Sequence, residues 1–482
     1  MTASLNFAFN LGAAGKAAQR DPQRPMRILV MGDFSGRASG AQDGAAGLAA
    51  RTPRRIDIDN LDLAPGRLGC ALQLALDGAG AAPVRIELQR FDDFEAEQLL
   101  RQPGLFGALA DLRAQLDNPA SFEQAAARLG IGAPPPAAHG EAADNPFAQL
   151  LGGAIQRPAA PADGAPGGLA AFVKSVVGKV AIADPRHAQA LAALDRLRGE
   201  RLRAVLHDPA FRALEASWRS LELLVGDLEL DEQLQLYLLD VSKDELQTDL
   251  AAAGADLGAS DVFRLLVEQA RRAPDGEPWS VLVGDYRFDT GAQDIALLAA
   301  LGAIGAQAGA PWLAAAADPQ AGDDDGAARW AALRHSAQAG WIGLATQGLL
   351  LRLPYGKKTD RIAAFDFEEL GDAPVHADYL WGNPAYACAL LLGRAFEQEG
   401  WDMQPGDQLD IDDLPAHTWQ QDGEAQLQAC GGAYLSEREA GAILQQGRMP
   451  LLSFKNRSAV RLLRFQSIAD PARALCGPWQ AG

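Results

Sequence analysis

An α/β fold is what this sequence predicts, built as two α/β domains with mixed sheets on either side of a linker. Three observations carry that reading. Short apolar runs with strand-like alternation recur between longer stretches whose apolar residues follow helical spacing. A tract rich in Pro, Ala and Gly separates two such series near residues 130–168. Hydrophobic residues make up 48% of the 482 positions against 22% charged, enough for a large core. The expected division is residues 1–130, a linker at 131–180 holding short amphipathic helices, and residues 181–482.

The N-terminal series begins with alternating residues 3–10, a candidate strand. Met26–Met31 (MRILVM) is a buried strand run that ends in a tight Gly32-Asp33-Phe34-Ser35-Gly36 turn. Arg54–Leu63 (RRIDIDNLDL) alternates strictly and predicts a strand with charged residues on one side. Its Asp57, Asp59 and Asp62 do not make a calcium loop: counting from Asp57, positions five and twelve are Leu61 and Leu68, and the required glycine is Asp62. Val84–Leu88 predicts a strand, Phe94–Leu116 a helix, and Ser121–Leu129 a short helix after the Asn118-Pro119 break.

In the linker, Asn145–Ile155 has an Asn cap, Pro at the first turn and apolar Phe147, Leu150, Leu151 and Ile155. Two readings stand for it, a docking peptide or ordinary packing. Leu169–Val180 is a second apolar helix. Helices are then expected at His187–His207 and from Asp208-Pro209 to Val225, the latter with Trp218 on its apolar face. Strand Gln233–Val241 follows, with a helix starting at Ser242. Ser280–Val283 is a strand ending in a Gly284-Asp285-Tyr286 turn, an echo of Gly32-Asp33-Phe34. A helix at Asp294–Gly309, a strand at Pro311–Ala316 and an acidic loop at Asp318–Gly326 come next. The apolar run and basic turn Leu349–Asp360 (LLLRLPYGKKTD), a helix at Pro384–Glu399 and strands at Glu424–Ala429 and Pro450–Phe454 complete the series.

Charge and motif content exclude several functions. A net charge of −19 argues against nucleic acid as a partner. Cys70, Cys388, Cys430 and Cys476 lie far apart with no CxxC, as expected of reduced thiols in a cytosolic protein. The N-terminus lacks the features of a signal peptide, and no apolar run is long enough to span a membrane. The six histidines show neither HExxH nor HxH spacing, and there is no GxSxG elbow. Gly356-Lys357 is not a phosphate loop, because Leu351 stands where the first glycine belongs and Lys358 where Ser or Thr belongs. No cofactor or metal is expected. Asp33 and Asp285, each in a turn after a strand, are the candidate catalytic residues by position; their bland reading is capping of nearby backbone N–H groups.

The body resembles a known family. Phe211–Leu224, Leu239–Leu246, Gly276–Phe288, Leu349–Asp360, Phe365–Glu369, Tyr379–Tyr386 and Leu414–Thr418 resemble, in order, blocks of the large contractile-sheath subunit of the bacterial type VI secretion system. Met26–Gly36, Arg55–Leu61 and Pro83–Leu116 resemble the small sheath subunit, so the linker joins in one chain what the family keeps as two tightly pairing chains. The resemblance implies a structural, non-catalytic, cytoplasmic sheath component that takes part in effector secretion. Its implied partners are sheath or sheath-like subunits, the inner tube protein and the baseplate. Pro146–Ile155 falls where the family's sheath-disassembling AAA+ ATPase docks, which implies a contact through Phe147, Leu150 and Leu151. Arg352, Lys357 and Lys358 are the candidates to meet acidic neighbours; a solvated basic turn is the bland alternative. The family's large subunit continues past the block matching Phe465–Ser467 with interlocking strands. That departure implies a second reading, a non-polymerising cap or a baseplate-associated or regulatory relative. A remote rival is a hydrolase using Asp33 and Asp285 in a cleft between the halves.

Overall fold

The near-continuous apolar run Met26–Gly32 (β1) is almost wholly buried, as a strand in the middle of a parallel sheet must be. The computed structural model describes residues 7, 9–10, 23–40, 47–76, 82–132, 184, 186–270, 277–317, 324–421, 423–455 and 457–480. In chain order the other strands are β2 (Arg54–Ile56), β3 (Ala71–Leu74), β4 (Val84–Glu87), β5 (Leu234–Asp240), β6 (Val281–Phe288), β7 (Trp312–Ala316) and β8 (Ile342–Thr346). They are followed by β9 (Leu349–Leu350), β10 (Trp381–Gly382), β11 (Asp410–Ile411), β12 (Thr418–Gln421), β13 (Glu424–Leu427), β14 (Arg448–Ser453) and β15 (Val460–Leu462). Nine of them form one mixed sheet in the order β11-β15-β14-β8-β7-β6-β1-β5-β2. Its centre, β14 to β5, is parallel, while β2 and β15 pair antiparallel. The fold is therefore α/β, as the sequence predicts.

The place of β1 is the main topological fact. It runs beside β5 from Met26↔Leu234 to Gly32↔Asp240 and beside β6 from Ile28↔Val281 to Met31↔Gly284. An N-terminal strand thus lies between two strands that follow it by some two hundred residues or more. The described chain divides into two compact units, Met1–Leu105 with Arg201–Gly482, and Phe106–Glu200. The sheet belongs to the first. In the second, Leu116, Phe122, Ala125, Ala126, Ile131, Ala190 and Leu194 form the core.

Helices cover both sheet faces. Helix Pro209–Asp227 starts where Asp208 accepts hydrogen bonds from the Ala210 and Phe211 N–H groups, and it buries Phe211, Leu214, Trp218, Leu221, Leu224 and Val225 along one stripe. Helix Pro384–Glu399, capped by Asn383, packs beside it against the sheet. Helix Ala292–Ala308, apolar nearly all round, packs against the opposite face with Lys243–Ala253, which opens on a Ser242/Glu245 capping box. Gly284 lets the Trp312 ring sit on β6: a Cβ there would come within 2.7 Å of it.

Several expectations change. Only Arg54–Ile56 of the predicted 54–63 strand is extended. The Asp57 carboxylate accepts from the Asp59 N–H at 3.2 Å and its carbonyl from the Leu61 N–H at 3.1 Å, which folds the rest into a turn. The predicted helix 94–116 breaks ahead of Pro103 into Ala96–Leu99 and Pro103–Asp117. Gly284-Asp285 is not a turn, because β6 runs through it to Phe288 with an irregular register. Part of the predicted acidic loop is a helix, Asp324–Arg334. The predicted linker helices 145–155 and 169–180 lie outside the described residues, as does most of the strand at 3–10.

Candidate functional site

The return Leu349–Asn383 is anchored by β9 pairing with β10 and by the Leu350 N–H donating to the Cys430 carbonyl at 2.8 Å. Just past β9 the chain turns inward and delivers Arg352 to the interior. Its Nε donates to Glu215 Oε1 at 2.7 Å, and its two terminal nitrogens grip Glu369 at 2.7 and 3.0 Å. This is a bidentate, charge-assisted pair with fixed geometry. Glu215 Oε1 also accepts from Arg219 Nε at 2.8 Å, and Arg219 reaches Glu95 at 2.9 Å. Tyr355 donates its hydroxyl to Glu95 at 2.7 Å, and its N–H goes to Glu369 at 2.8 Å. The Arg352 guanidinium lies 4.7 Å over the Tyr355 ring.

Glu215 is wholly buried, and Glu369 and Arg219 are nearly so. Burial alone raises a carboxyl pKa, but at Glu369 the Arg352 charge and its hydrogen bonds outweigh it and hold the group at about 2. At Glu95 burial is likewise overcome, by Arg219 and the Tyr355 hydroxyl, and the group stays below the usual carboxylate range. Burial favours a neutral Arg352, yet Glu215 and Glu369 hold it firmly charged. The cluster therefore ties Glu95 of the N-terminal segment, through Arg219 and Tyr355, to a network of five C-terminal residues: Glu215, Arg219, Arg352, Tyr355 and Glu369. Its chemistry is that of a structural lock: every acceptor role named here is filled from within the chain.

The basic turn itself lies outside. The Lys357 ammonium pairs with Asp366 at 2.9 Å, and its N–H donates to Glu368. Lys358 is exposed and has no ion-pair partner among the described residues. Gly356 leaves room for Glu368, whose carboxylate a Cβ would strike. Behind the turn opens a cleft of 680 Å³, lined by Tyr355, Lys357, Lys358, Leu370, His417 and Trp419 among others. His417 accepts or donates at 2.7 Å with the Tyr379 hydroxyl, and burial lowers its pKa.

The other candidates fall apart from this site. Asp33 accepts from the Gly36 and Arg37 N–H groups at 3.0 Å and from Ala38 at 2.7 Å, the capping role of its bland reading. Asp285 is enclosed beside Ser217, Tyr386 and Asn383, and its burial raises its pKa. Neither lines the 680 Å³ cleft. Phe147, Leu150 and Leu151 lie outside the described residues.

Residues 188–325 and 320–469 match the family described as VipB (EvpB), tail sheath N-terminal domain. These spans cover more than half of the chain. The chain belongs to this tail sheath family. Its residues 8–126 also match the family described as Type VI secretion system, VipA. A curated relative, the type VI secretion system sheath protein TssC1 of Pseudomonas aeruginosa, is 34% identical over 306 residues, 58% of this chain. The chain spans 61% of that relative's length. Glu95 falls in the VipA-like span, and Glu215, Arg219, Arg352, Tyr355 and Glu369 fall in the sheath-domain span.

Sequence reasoning named Arg352 but none of its partners. The available signal was the pair Glu215 and Arg219, four apart and flanking Trp218 on an otherwise apolar stripe, where charge is costly unless paired.

Proposed function

We propose that this protein is a structural, non-catalytic component of a type VI secretion contractile sheath, carrying small-subunit-like residues 1–130 and large-subunit-like residues 181–482 in one chain, with 131–180 as the linker. The observation that carries the reading is β1 of the VipA-like span seated between β5 and β6 of the sheath-domain span. The portions of the two spans that share this sheet would enter a polymer together. Its partners in this reading are further sheath or sheath-like subunits, the inner tube protein and the baseplate, and its place is the cytoplasm. No helix among the described residues is long and apolar enough to cross a membrane. The linker stretch with Phe147, Leu150 and Leu151 serves as the dock for the sheath-disassembling AAA+ ATPase, and Lys357 and Lys358 face neighbouring subunits, while Arg352 works from inside. Electron microscopy of the purified full chain at high concentration, with and without inner tube protein, tests this. Helical tubes are the expected result; a protein that stays monomeric under both conditions and is dispensable for effector secretion would sink it.

A further inference from the structure

The described residues leave six large apolar side chains exposed, and four of them fall in two places. Ile58, 72% exposed, and Leu63, 45% exposed, sit on the acidic turn after β2. Val375 and Leu427 flank the 680 Å³ cleft: Leu427 pairs across β12–β13 with the lining residue Thr418, and Val375 follows the lining residue Asp372 by three.

The two places are complementary in chemistry. The turn is a preformed knob. The Asp57 N–H donates to Asn60 Oδ1 at 3.3 Å, and Asp57 in turn accepts from the Asp59 and Leu61 N–H groups. Those bonds use Asp57 but leave the exposed Asp59 carboxylate with no cation among the described residues. The cleft offers an apolar floor of Pro354, Leu370, Trp419 and Ala425, with Lys358 at its rim. Of the acids near that rim, Glu368 is taken by the Lys357 N–H and Asp366 by the Lys357 ammonium. Asp372 remains as an acid without a cation among the described residues at the cleft's other loop, so it disfavours any knob seated with its carboxylate away from Lys358.

We infer that the cleft seats the Asp57–Leu63 turn of a second copy of this chain, with Ile58 on the apolar floor and Asp59 against Lys358. This rests on the reading above that copies assemble. The contact joins two different surfaces, so it is heterologous, and repetition of one such contact builds rings or helical filaments rather than closed two-fold dimers. A rigid turn loses little conformational entropy on docking, which suits a contact repeated along a filament.

The test places a photo-crosslinking p-benzoylphenylalanine at position 58 of the full-length protein and maps the products by mass spectrometry, alongside sedimentation of charge variants. Expected are intermolecular cross-links to peptides covering 354–372 or 417–427. Asp59→Lys or Lys358→Asp weakens self-association about tenfold, and the double exchange restores it. All these positions are exposed, so unchanged thermal melts check that the variants fold. Cross-links mapping elsewhere, or Ile58→Glu leaving assembly intact, overturn this contact while leaving the sheath reading standing. Absence of any self-association or cross-link in the wild-type protein overturns it too, and secretion by the deletion strain then tests the sheath reading separately.

Discussion

At the scale of single residues, the fold turns on charges that are largely or wholly buried. Removing one member of a buried ion pair strands the other, which costs roughly 3–5 kcal/mol. Arg352→Met should therefore destabilise the protein by about that much in urea unfolding, since it strips Glu369 of its guanidinium in the interior and leaves the buried Glu215 with Arg219 alone. The combined Arg352→Met, Glu369→Gln change should recover part of the loss, because fewer uncompensated charges remain; a double variant as unstable as the single one would refute the pairing argument. The cluster also sets a pH dependence. Glu369 titrates near 2 when folded, below its ordinary value of 4.5. A depressed carboxyl pKa adds stability above the unfolded value, and that stability is lost as pH falls through the folded value. Glu369 thus contributes roughly 3 kcal/mol at neutral pH, declining from about pH 4.5 toward 2. Acid titration of the unfolding midpoint should show this slope, and Glu369→Gln should flatten it.

Thiols give a second check at this scale. Burial pushes the Cys388 thiol up to about 12 and Cys70 higher still, while Cys476 is partly exposed. Native alkylation should label Cys476 first and spare Cys70 and Cys388 until the protein unfolds. Early labelling of Cys388 would mean that helix Pro384–Glu399 opens locally.

At the scale of elements, the join between segments is a matter of packing. Trp218 is wholly buried, meets Phe34 edge to face at 5.4 Å, and donates its indole N–H to the Phe34 carbonyl at 3.0 Å. Trp218→Ala should cost about 3–5 kcal/mol, whereas Trp218→Phe keeps much of the volume and loses mainly the hydrogen bond. Gly284→Ala should destabilise by roughly 1–3 kcal/mol through overpacking against Trp312, seen as a lowered unfolding midpoint. The strands and helices themselves were largely legible. Apolar runs located β1, β5 and β7, and Asn383-Pro384, Asp208-Pro209 and Ser242 marked helix starts. Legibility failed where a local polar bond overrode periodicity, as when Asp57 curled an alternating stretch into a turn. It failed also at Gly284, whose role depends on a tryptophan from another strand. The ionic cluster was the least legible feature, because Glu95, Glu215 and Glu369 meet only after the chain has folded.

At the scale of the whole molecule, sequence order and spatial order part company. Ile28, Leu29, Val30 and Met31 are all fully buried between partners contributed by the C-terminal segment. Burying each is worth about 1.5–3 kcal/mol, so the four together supply on the order of 6–12 kcal/mol. That equals the net stability of a typical domain, about 5–15 kcal/mol. An N-terminal fragment of residues 1–132 would have to expose all four, together with the faces of Phe34 and Phe94 that rest on Trp218 and Phe211. Among the described residues it would keep only the β3–β4 hairpin as a complete ladder, and an isolated hairpin is marginal in water. Such a fragment should therefore show no cooperative thermal transition by circular dichroism. Mixing it with a 184–482 fragment, or coexpressing the two, should restore a single transition, since the sheet requires β1 between β5 and β6 and not the covalent connection. A cooperative melt of 1–132 alone would mean that the N-terminal segment holds a core of its own, and β1 would then be an addition to the sheet rather than the strand that completes it.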